Sequence, residues 1–296
     1  MLNDFKTELL NCCLCPTPSV GQNIPHSVWD RNLDKMPKNW IKNFEGLAAT
    51  PLRRKALEII NRGLDAINTN SVLKKNISLN GNSLKIKSQE FNLDNFNRII
   101  FVGIGKAAGE AALFFDNLLG PKINVGVVLD LNIVNCRHIE SFRADHPHPS
   151  LENVAASQKI VDLAKGASES DLVIAVISGG GSAMLCWPEE ECGQSQHLYD
   201  AFLKTGGNIT ELNTVRKHAS SIKGGGFAKI FYPAQIISLI FSDIGGDNYH
   251  AVASGPTYLD RTTIQDAEII LKKYSISGIN LSETPKEEGF FKNVVN

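Results

Sequence analysis

The sequence predicts an α/β fold, in which a doubly wound, mostly parallel sheet carries helices on both faces in a Rossmann-like three-layer arrangement. From Arg98 onward, short apolar runs alternate with segments of helical periodicity, which is typical of a parallel sheet covered by helices. Three of the four apolar runs lead directly into glycine-rich or acidic loops. Because connections between parallel strands are right-handed, we expect these loops to gather at one edge of the sheet.

The chain of 296 residues is long enough for one large α/β domain. Residues 1–48 contain scattered tryptophans and prolines without a long periodic pattern, and we interpret them as an irregular extension. We assign residues 49–281 to the α/β domain and residues 282–296 to the start of a further domain. Three cysteines of the extension, Cys12, Cys13 and Cys15, have no closely spaced second pair, so they are poor evidence for a zinc site.

A helix and a hairpin are predicted ahead of the main alternation. Thr50 can cap the helix, and Pro51 suits its first position. The apolar residues recur at helical spacing, at Leu57, Ile60, Leu64 and Ile67. Further on, the segment "ISLNGNSLKI" has the hairpin-forming pair Asn80 and Gly81 at its centre.

The main alternation predicts four strands and four covering helices. The strands are Ile99 to Val102, Val125 to Leu129, Leu172 to Ile177 and Ile236 to Phe241. The helices are Ala107 to Leu118, Leu151 to Ala164, His197 to Leu203 and Thr262 to Tyr274.

The loops at the predicted strand ends carry residues suited to phosphate. The first contains Gly103, Gly105 and Lys106; the second contains Ser178, Gly179, Gly180, Gly181 and Ser182; the third contains Ser242, Asp243 and Asp247. Glycines let the backbone approach a phosphate closely and point amide hydrogens at its oxygens. Each loop alone is also compatible with a tight turn, but together they favour a polyphosphate ligand.

The segment "NITELNTVRKHASSIKGGGFAK" predicts a short basic helix. Asn213 or Thr214 can cap it, and the glycines from Gly224 to Gly226 can end it. One stripe of this helix carries Arg216, Ser220 and Lys223, and Lys217 lies beside it. Cations in a first helical turn are unfavourable without an anion, so an anion site is one interpretation. A solvated face paired with carboxylates is the other.

The composition narrows the class of function. Thirty basic and 31 acidic side chains nearly cancel, so no overall charge favours nucleic acid or an anionic membrane as a partner. The longest apolar runs are too short for a membrane span, and the amino terminus does not resemble an export signal. We therefore expect a cytoplasmic protein. A P-loop motif is absent from the sequence, so any kinase here must use a different phosphate cradle.

A dinucleotide-binding enzyme is the competing interpretation. Gly103, Gly105 and Ala108 fit the dinucleotide fingerprint, and Asp130 ends the next strand, where it could hold a ribose. Lys106 within the turn and the second glycine loop are both surplus to pyrophosphate binding. These two features argue against a nicotinamide-dependent reductase, which stays open as an alternative.

Five segments together resemble the type II glycerate kinases. They are "VGIGKAAG", "HPHPSLENVAA", "VISGGGSAML", "TGGNITELNTVRKHASSIKGGGFAK" and "FSDIGGDNYHAVASGPT", and the resemblance runs from about residue 50 to the end. The resemblance implies transfer of a phosphoryl group from ATP to glycerate, giving 2-phosphoglycerate, with Mg²⁺. In this family the domain is followed by a second one, called MOFRL, and some members have been labelled hydroxypyruvate reductases.

The resemblance also implies roles for individual residues. Lys106, Arg216 and Asp243 would be catalytic, and Asp243 with Asp247 would hold Mg²⁺. Substrate or phosphate would contact Gly105, Ser178, Gly179, Gly180, Gly181, Ser182, Asn213, Lys217 and Lys223. His146, in "HPHP", is expected to be a turn residue.

Three positions depart from the family pattern, namely Asp145, Ser150 and Gly226. Because the chain ends where the second domain of the family begins, a separately encoded domain or a homo-oligomer stays open as a partner. A remnant that binds nucleotide without turnover also stays open.

Overall fold

A computed structural model describes residues 40–246 and 248–296 of the chain. The predictions made for Asp247 and for Cys12, Cys13 and Cys15 therefore lie outside the described residues. The chain divides into two compact units between Asp65 and Ala66. The domain boundaries proposed from the sequence stay predictions.

The described part of the first unit, from residue 40 on, contains α1 (Phe44–Leu47) and most of α2 (Pro51–Ala66). The predicted capping residue is in place, since Thr50 Oγ1 accepts a hydrogen bond of 3.3 Å from the Arg53 N–H. The apolar stripe predicted for this helix is present in the sequence, but no residue of α2 is buried.

The second unit opens with helix α3 (Thr69–Asn76) and a three-stranded antiparallel sheet of β1 (Ile77–Asn80), β2 (Ser83–Ile86) and β3 (Gln89–Asn92). The predicted hairpin is present, and its register pairs Asn80 with Ser83. The two loop residues are therefore Gly81 and Asn82, one position later than the sequence indicated. Gly81 has a φ of 59°, a left-handed conformation that glycine adopts without steric cost.

A six-stranded sheet forms the centre of the second unit, and all its neighbouring strands are parallel. Its strands are β4 (Arg98–Ile104), β5 (Val125–Asp130), β6 (Glu140–Arg143), β7 (Asp171–Ser178), β8 (Gln235–Phe241) and β9 (Val294–Val295). The four strands predicted from apolar runs are confirmed as β4, β5, β7 and β8.

The strand order, β6-β5-β4-β7-β8-β9, sets the position of the candidate site. The chain moves outward from β4 through β5 to β6, and then returns to the other side of β4 as β7. The connections after β4 and β7 therefore diverge, and a crevice opens between their carboxyl ends. Ligands of doubly wound folds bind at such a switch point.

Helices cover both faces of this sheet, as predicted. They are α4 (Ala108–Leu119), α5 (Leu151–Ala164), α6 (Gly181–Met184), α7 (Glu189–Thr205), α8 (Ile209–His218), α9 (Gly226–Phe231) and α10 (Ile264–Lys273). One core cluster joins Phe101 of β4 to Phe115 of α4, and a second, on the opposite face, joins Ile100 to Ile160 and Phe231. Within the described residues, none of these helices combines the length and apolarity that crossing a membrane requires.

The start of helix α8 differs from the prediction. The helix begins at Ile209, and Asn208 caps it by accepting a hydrogen bond of 2.9 Å from the Glu211 N–H. The prediction that Asn213 or Thr214 caps this helix is wrong, because the stronger start signal lies five residues earlier. Arg216 and Lys217 thus occupy the last turn, where the helix dipole stabilises cations.

The final residues of the chain join the main sheet. Val294 and Val295 form β9 and pair with Ile236 and Ile237 of β8. The segment that the sequence assigned to a further domain therefore adds an edge strand to this one.

Candidate functional site

The loops after β4 and β7 contact each other directly. The Lys106 N–H donates a hydrogen bond of 3.0 Å to the Gly179 carbonyl. Ser178 Oγ accepts one of 3.1 Å from the Ala107 N–H and donates one of 3.2 Å to the Ile104 carbonyl. The structure thus brings the first two predicted loops together, and the Ser178 hydroxyl serves to join them.

Two glycines of these loops lie in close contact with a neighbouring loop. Gly105 has a φ of 108°, and a Cβ there would overlap Ser178. A Cβ at Gly179 would overlap the carboxylate of Asp243. The third predicted loop therefore reaches the second one, and Asp243 lies directly against the glycine backbone.

The backbone amides of the first loop are used within the protein. The Gly105 N–H bonds to the Leu129 carbonyl at 3.0 Å, and the Ala108 N–H bonds to the Gly105 carbonyl at 3.0 Å. The Gly109 N–H bonds to Asp130 Oδ2 at 2.8 Å. With Lys106 and Ala107 also bonded, this loop offers no cradle of free amides to a ligand.

Asp130 supports the start of helix α4 instead of facing a ligand. Its carboxylate is buried and accepts the Gly109 N–H. Burial raises its pKa, and the hydrogen bonds from Gly109 and Asn132 oppose that rise. The carboxylate that a dinucleotide-binding enzyme would use for the ribose is thus occupied by the protein backbone.

The second loop does offer free amides. The N–H groups of Gly180, Gly181 and Ser182 make no hydrogen bond to any other described residue, since they precede or begin the short helix α6. Successive free N–H groups in such a turn form a concave site for anionic oxygens. The Ser182 hydroxyl, in contrast, pairs with Ser254 Oγ at 2.9 Å.

The side chains of Lys106 and His146 both lie close to Gly180. A Cβ at Gly180 would be 3.0 Å from Lys106 Cε and 3.3 Å from His146 Cδ2. Burial lowers the pKa of His146, and the charges of Lys106 and Arg216 lower it further, whereas Asp243 opposes them. His146 is therefore neutral at pH 7, and its environment is cationic.

Arg216 is a buried guanidinium without a carboxylate partner among the described residues. Its side chain is 8% exposed, and its Nε has no hydrogen-bond partner. Burial lowers its pKa to about 10. The guanidinium carbon lies 5.6 Å from the ring centre of Tyr199 on α7. Burying a charge without a partner of opposite sign is unfavourable, so Arg216 is a candidate contact for an anion.

Asn213 lies one helical turn before Arg216 on α8, and positions three apart share a face. Its side-chain Oδ1 is buried and has no hydrogen-bond partner in the described part of the chain. A buried, unsatisfied carbonyl oxygen is rare in proteins and costs about 1–3 kcal/mol. The pair thus presents a donor group and an acceptor group that the described residues leave unsatisfied.

The two other cations of the predicted basic helix are held in ion pairs. Lys217 Nζ lies 3.0 Å from Asp260 Oδ1. Lys223 is 1% exposed and is paired with the buried carboxylate of Glu191. Their charges are therefore neutralised inside the fold, whereas Lys106 and Arg216 have no carboxylate partner among residues 40–246 and 248–296.

Asp243 is the described carboxylate that could hold a metal at this site. No cluster of three or more His, Cys, Asp or Glu side chains suitable for a metal occurs among residues 40–246 and 248–296. Mg²⁺ is commonly bound by one or two carboxylates together with substrate phosphates. A single exposed carboxylate beside a loop of free backbone amides fits that mode, and it does not fit a permanent metal cage.

The sequence did not identify His146 and Tyr199 as parts of this site. His146 does lie in a bend, as expected, but its ring also faces the glycine loop. Tyr199 lies near Arg216 because α7 packs against α8, and nothing in the local sequence signals that contact.

Comparison with known proteins identifies the family. Residues 55–284 match the family described as "Domain of unknown function (DUF4147)". A D-glycerate 2-kinase of Thermotoga maritima is 35% identical over 246 residues, which are 79% of this chain and 56% of the relative. Human glycerate kinase is 31% identical over 81% of this chain. A putative hydroxypyruvate reductase of Agrobacterium vitis is 39% identical over 64% of the chain.

Solved structures show the same fold. A crystal structure of a glycerate kinase from Thermotoga maritima superposes with a TM-score of 0.70 at 33% identity, covering 82% of this chain and 57% of the other. A protein from Pyrococcus horikoshii superposes with a TM-score of 0.67 at 31% identity, covering 77% and 52%. The chain spans about half the length of the relatives it matches. The resemblance to the type II glycerate kinases is confirmed, and the chain belongs to the DUF4147 family.

Proposed function

We propose that this chain is the phosphate- and substrate-binding part of a glycerate 2-kinase, which converts ATP and D-glycerate to ADP and 2-phosphoglycerate. The observation that carries the proposal is that the unpaired Arg216 and the Lys106 of the glycine loops both lie close enough to His146 for their charges to lower its pKa. Several relatives named as glycerate kinases support the choice of substrate. Because ATP is the phosphoryl donor, the cytoplasm is the expected compartment.

The phosphates belong at the second glycine loop. The N–H groups of Gly180, Gly181 and Ser182 would donate to phosphate oxygens, and Lys106 would offset the charge on the transferring group. Phosphoryl transfer depends mainly on positioning and on neutralising charge over the phosphate oxygens. In the proposal, the loop amides position the phosphates and Lys106 neutralises their charge, so a P-loop is not needed.

Glycerate belongs beside α8. Arg216 would clamp the carboxylate with two parallel hydrogen bonds, which removes the cost of its unpaired charge. Asn213 Oδ1, a buried acceptor without a partner, would receive a hydrogen bond from a substrate hydroxyl. A hydroxy acid carries both groups on neighbouring carbons, so it satisfies the two residues at once.

The donor set at Asp243 is compatible with Mg²⁺. In the proposal Asp243, with Asp247, would hold the ion. When bound, Mg²⁺ would neutralise charge on the phosphates. Asp243 is the described carboxylate that lies against the glycine loop, which supports this role.

The decisive experiment measures ADP release from ATP with D-glycerate and Mg²⁺. Turnover that requires all three, and that yields 2-phosphoglycerate, supports the proposal. Thermal stabilisation by ATP without ADP release would instead indicate a binding remnant, or a need for the part of the relatives that this chain does not span. Stabilisation by NADH alone would favour a reductase, although the engagement of Asp130 by Gly109 speaks against it.

A further inference from the structure

Tyr199 is held between two helices next to Arg216. It lies on α7, and its half-buried ring packs against an apolar cluster that includes Leu198 of α7 together with Leu212 and Val215 of α8. Val215 directly precedes Arg216 in the sequence. Core packing between the two helices therefore fixes the ring of Tyr199 relative to the backbone that carries Arg216.

The guanidinium of Arg216 lies over the face of the Tyr199 ring. The distance from its Cζ atom to the ring centre is 5.6 Å, which is within the range of about 6 Å for a cation–π contact. The Nε atom has no hydrogen-bond partner in the described part of the chain. A contact with the ring uses the face of the planar guanidinium and leaves the N–H donors, which lie in its plane, available to an oxygen ligand.

A second aromatic contact supports the Tyr199 ring from the turn between β6 and α5. The imidazole of His148 meets Tyr199 edge to face, with ring centres 5.5 Å apart and planes at 82°, an arrangement that aromatic pairs favour. His148 Nδ1 lies 4.0 Å from Asp200 Oδ1 on α7. The ring of Tyr199 is thus in contact with both Arg216 and His148.

Asn153 anchors the turn that carries His148. Its side chain is fully buried, and Oδ1 accepts a hydrogen bond of 2.8 Å from the Asp145 N–H. Its Nδ2 donates to the carbonyls of Asp145, Ala183 and Met184 at 3.0, 3.2 and 3.2 Å. Since Ala183 and Met184 belong to α6, the turn is tied to the short helix that begins within the second glycine loop.

We propose that Tyr199 is a positioning residue for Arg216. Its ring, supported by His148, holds the guanidinium in one orientation, so that two of its N–H groups face the carboxylate of the substrate. The inference rests on the proposed function for the identity of that carboxylate as the one of D-glycerate. The ring contact itself does not depend on the reaction.

An aromatic partner suits this task better than an acidic one. Lys223, the other buried cation of this segment, is paired with the carboxylate of Glu191, which neutralises its charge and occupies a donor. The face of Tyr199 attracts the Arg216 cation without offering an oxygen to its N–H groups. Arg216 is therefore held in place while its donors and its charge stay available to a substrate carboxylate.

Two substitutions at Tyr199 separate the ring from its hydroxyl group. Tyr199→Leu removes the aromatic face and keeps an apolar side chain, whereas Tyr199→Phe keeps the face. In calorimetry we expect the affinity for D-glycerate to fall about fivefold or more in Tyr199→Leu, and to stay within about twofold in Tyr199→Phe. The affinity for ATP should be unchanged in both variants, because the proposed phosphate contacts lie on the glycine loop.

The NMR resonance of the Arg216 Nε–H group gives a second readout that needs no ligand. Its loss in Arg216→Met identifies it. The resonance should shift in Tyr199→Leu, because the ring current of Tyr199 is removed, and it should stay in place in Tyr199→Phe. His148→Ala, at an exposed position, should also shift it, and His197→Ala, at an exposed position on α7, should not.

An Arg216 resonance that is unchanged in Tyr199→Leu would overturn the inference. In a chain that binds D-glycerate, equal affinities of Tyr199→Leu and Tyr199→Phe would also overturn it, as would a parallel loss of ATP and glycerate affinity in Tyr199→Leu. An unchanged resonance in His148→Ala would contradict the supporting role of His148. If the unsubstituted chain bound no D-glycerate, the proposed function would fail, and the Arg216 resonance would still decide whether Tyr199 positions the guanidinium.

Discussion

The Lys106 N–H and the Gly179 carbonyl are joined by a hydrogen bond of 3.0 Å. This bond links the loops after the two central strands, β4 and β7. It fixes the backbone of the lysine against the second glycine loop, so that its side chain crosses Gly180. The position of the Lys106 side chain beside the second glycine loop is therefore set by the backbone of that loop.

We expect Lys106→Gln to lower ADP production with D-glycerate by about a hundredfold or more, or about 3 kcal/mol, because it removes a charge that acts on the transferring phosphoryl group. Lys159→Gln is the matched control, since Lys159 is an exposed lysine that lies 3.7 Å from Glu140. Steady-state kinetics and circular dichroism of both variants check this. Equal turnover in the two variants would remove Lys106 from the site.

Arg216→Met should separate stability from binding. Without a ligand, the substitution removes a buried charge that has no carboxylate partner among the described residues, so we expect an unchanged or raised melting temperature. Stabilisation by D-glycerate should disappear at the same time. Arg261→Met, at an exposed position, should change neither quantity. Loss of stability together with unchanged glycerate binding would show that Arg216 is a packing residue.

Gly105→Ala should be strongly destabilising. Gly105 has a φ of 108°, and its Cβ would overlap Ser178 in the neighbouring loop, so we expect a loss of more than about 2 kcal/mol. Gly120→Ala is the control, because Gly120 also has a positive φ but no atom lies within 4 Å of its Cβ position. That control should lose only about 1 kcal/mol. Urea unfolding of both variants gives the comparison.

The sheet could be predicted from the sequence because fully buried parallel strands are continuous apolar runs. Strand β7 is buried along its whole length, and its sequence is accordingly a continuous apolar run from Leu172 to Ile177. The start of α8 was misplaced because two capping signals, Asn208 and Asn213, compete over five residues. The structure selects the first, where Asn208 and Glu211 bond to each other.

The candidate site could be predicted only in part, because some of its properties depend on contacts between residues that are distant in the sequence. The glycines and Lys106 at the strand ends indicate a candidate phosphate loop from the local sequence alone. Whether a cation is free or paired depends on residues distant in sequence, as Glu191 and Lys223 show. Lys217 and Lys223 resembled Arg216 in the sequence, and their partners distinguish them only in the fold.

The pKa of His146 should report the charge of Lys106. Burial lowers this pKa, and the charge of Lys106 is the next contribution, so Lys106→Gln should raise it toward its ordinary value of about 6.5. The sign follows because removing a nearby cation makes the protonated imidazole less unfavourable. Titration of the His146 imidazole by NMR measures this pKa in each variant. Lys159→Gln should leave the value unchanged, and an equal shift in both variants would contradict the contact.

The buried pair of Lys223 and Glu191 should be a structural feature. Glu191→Gln leaves the Lys223 charge uncompensated in a site where the lysine is 1% exposed, so we expect a loss of about 3–5 kcal/mol in unfolding free energy. Replacing both residues, as Glu191→Leu with Lys223→Met, should recover most of that loss because no charge then stays buried. Urea unfolding of the single and double variants measures the difference. If the double variant recovered its stability but lost ATP or glycerate binding, Lys223 would have to return to the ligand site; retained binding would leave Arg216 as the buried cation on which the site depends.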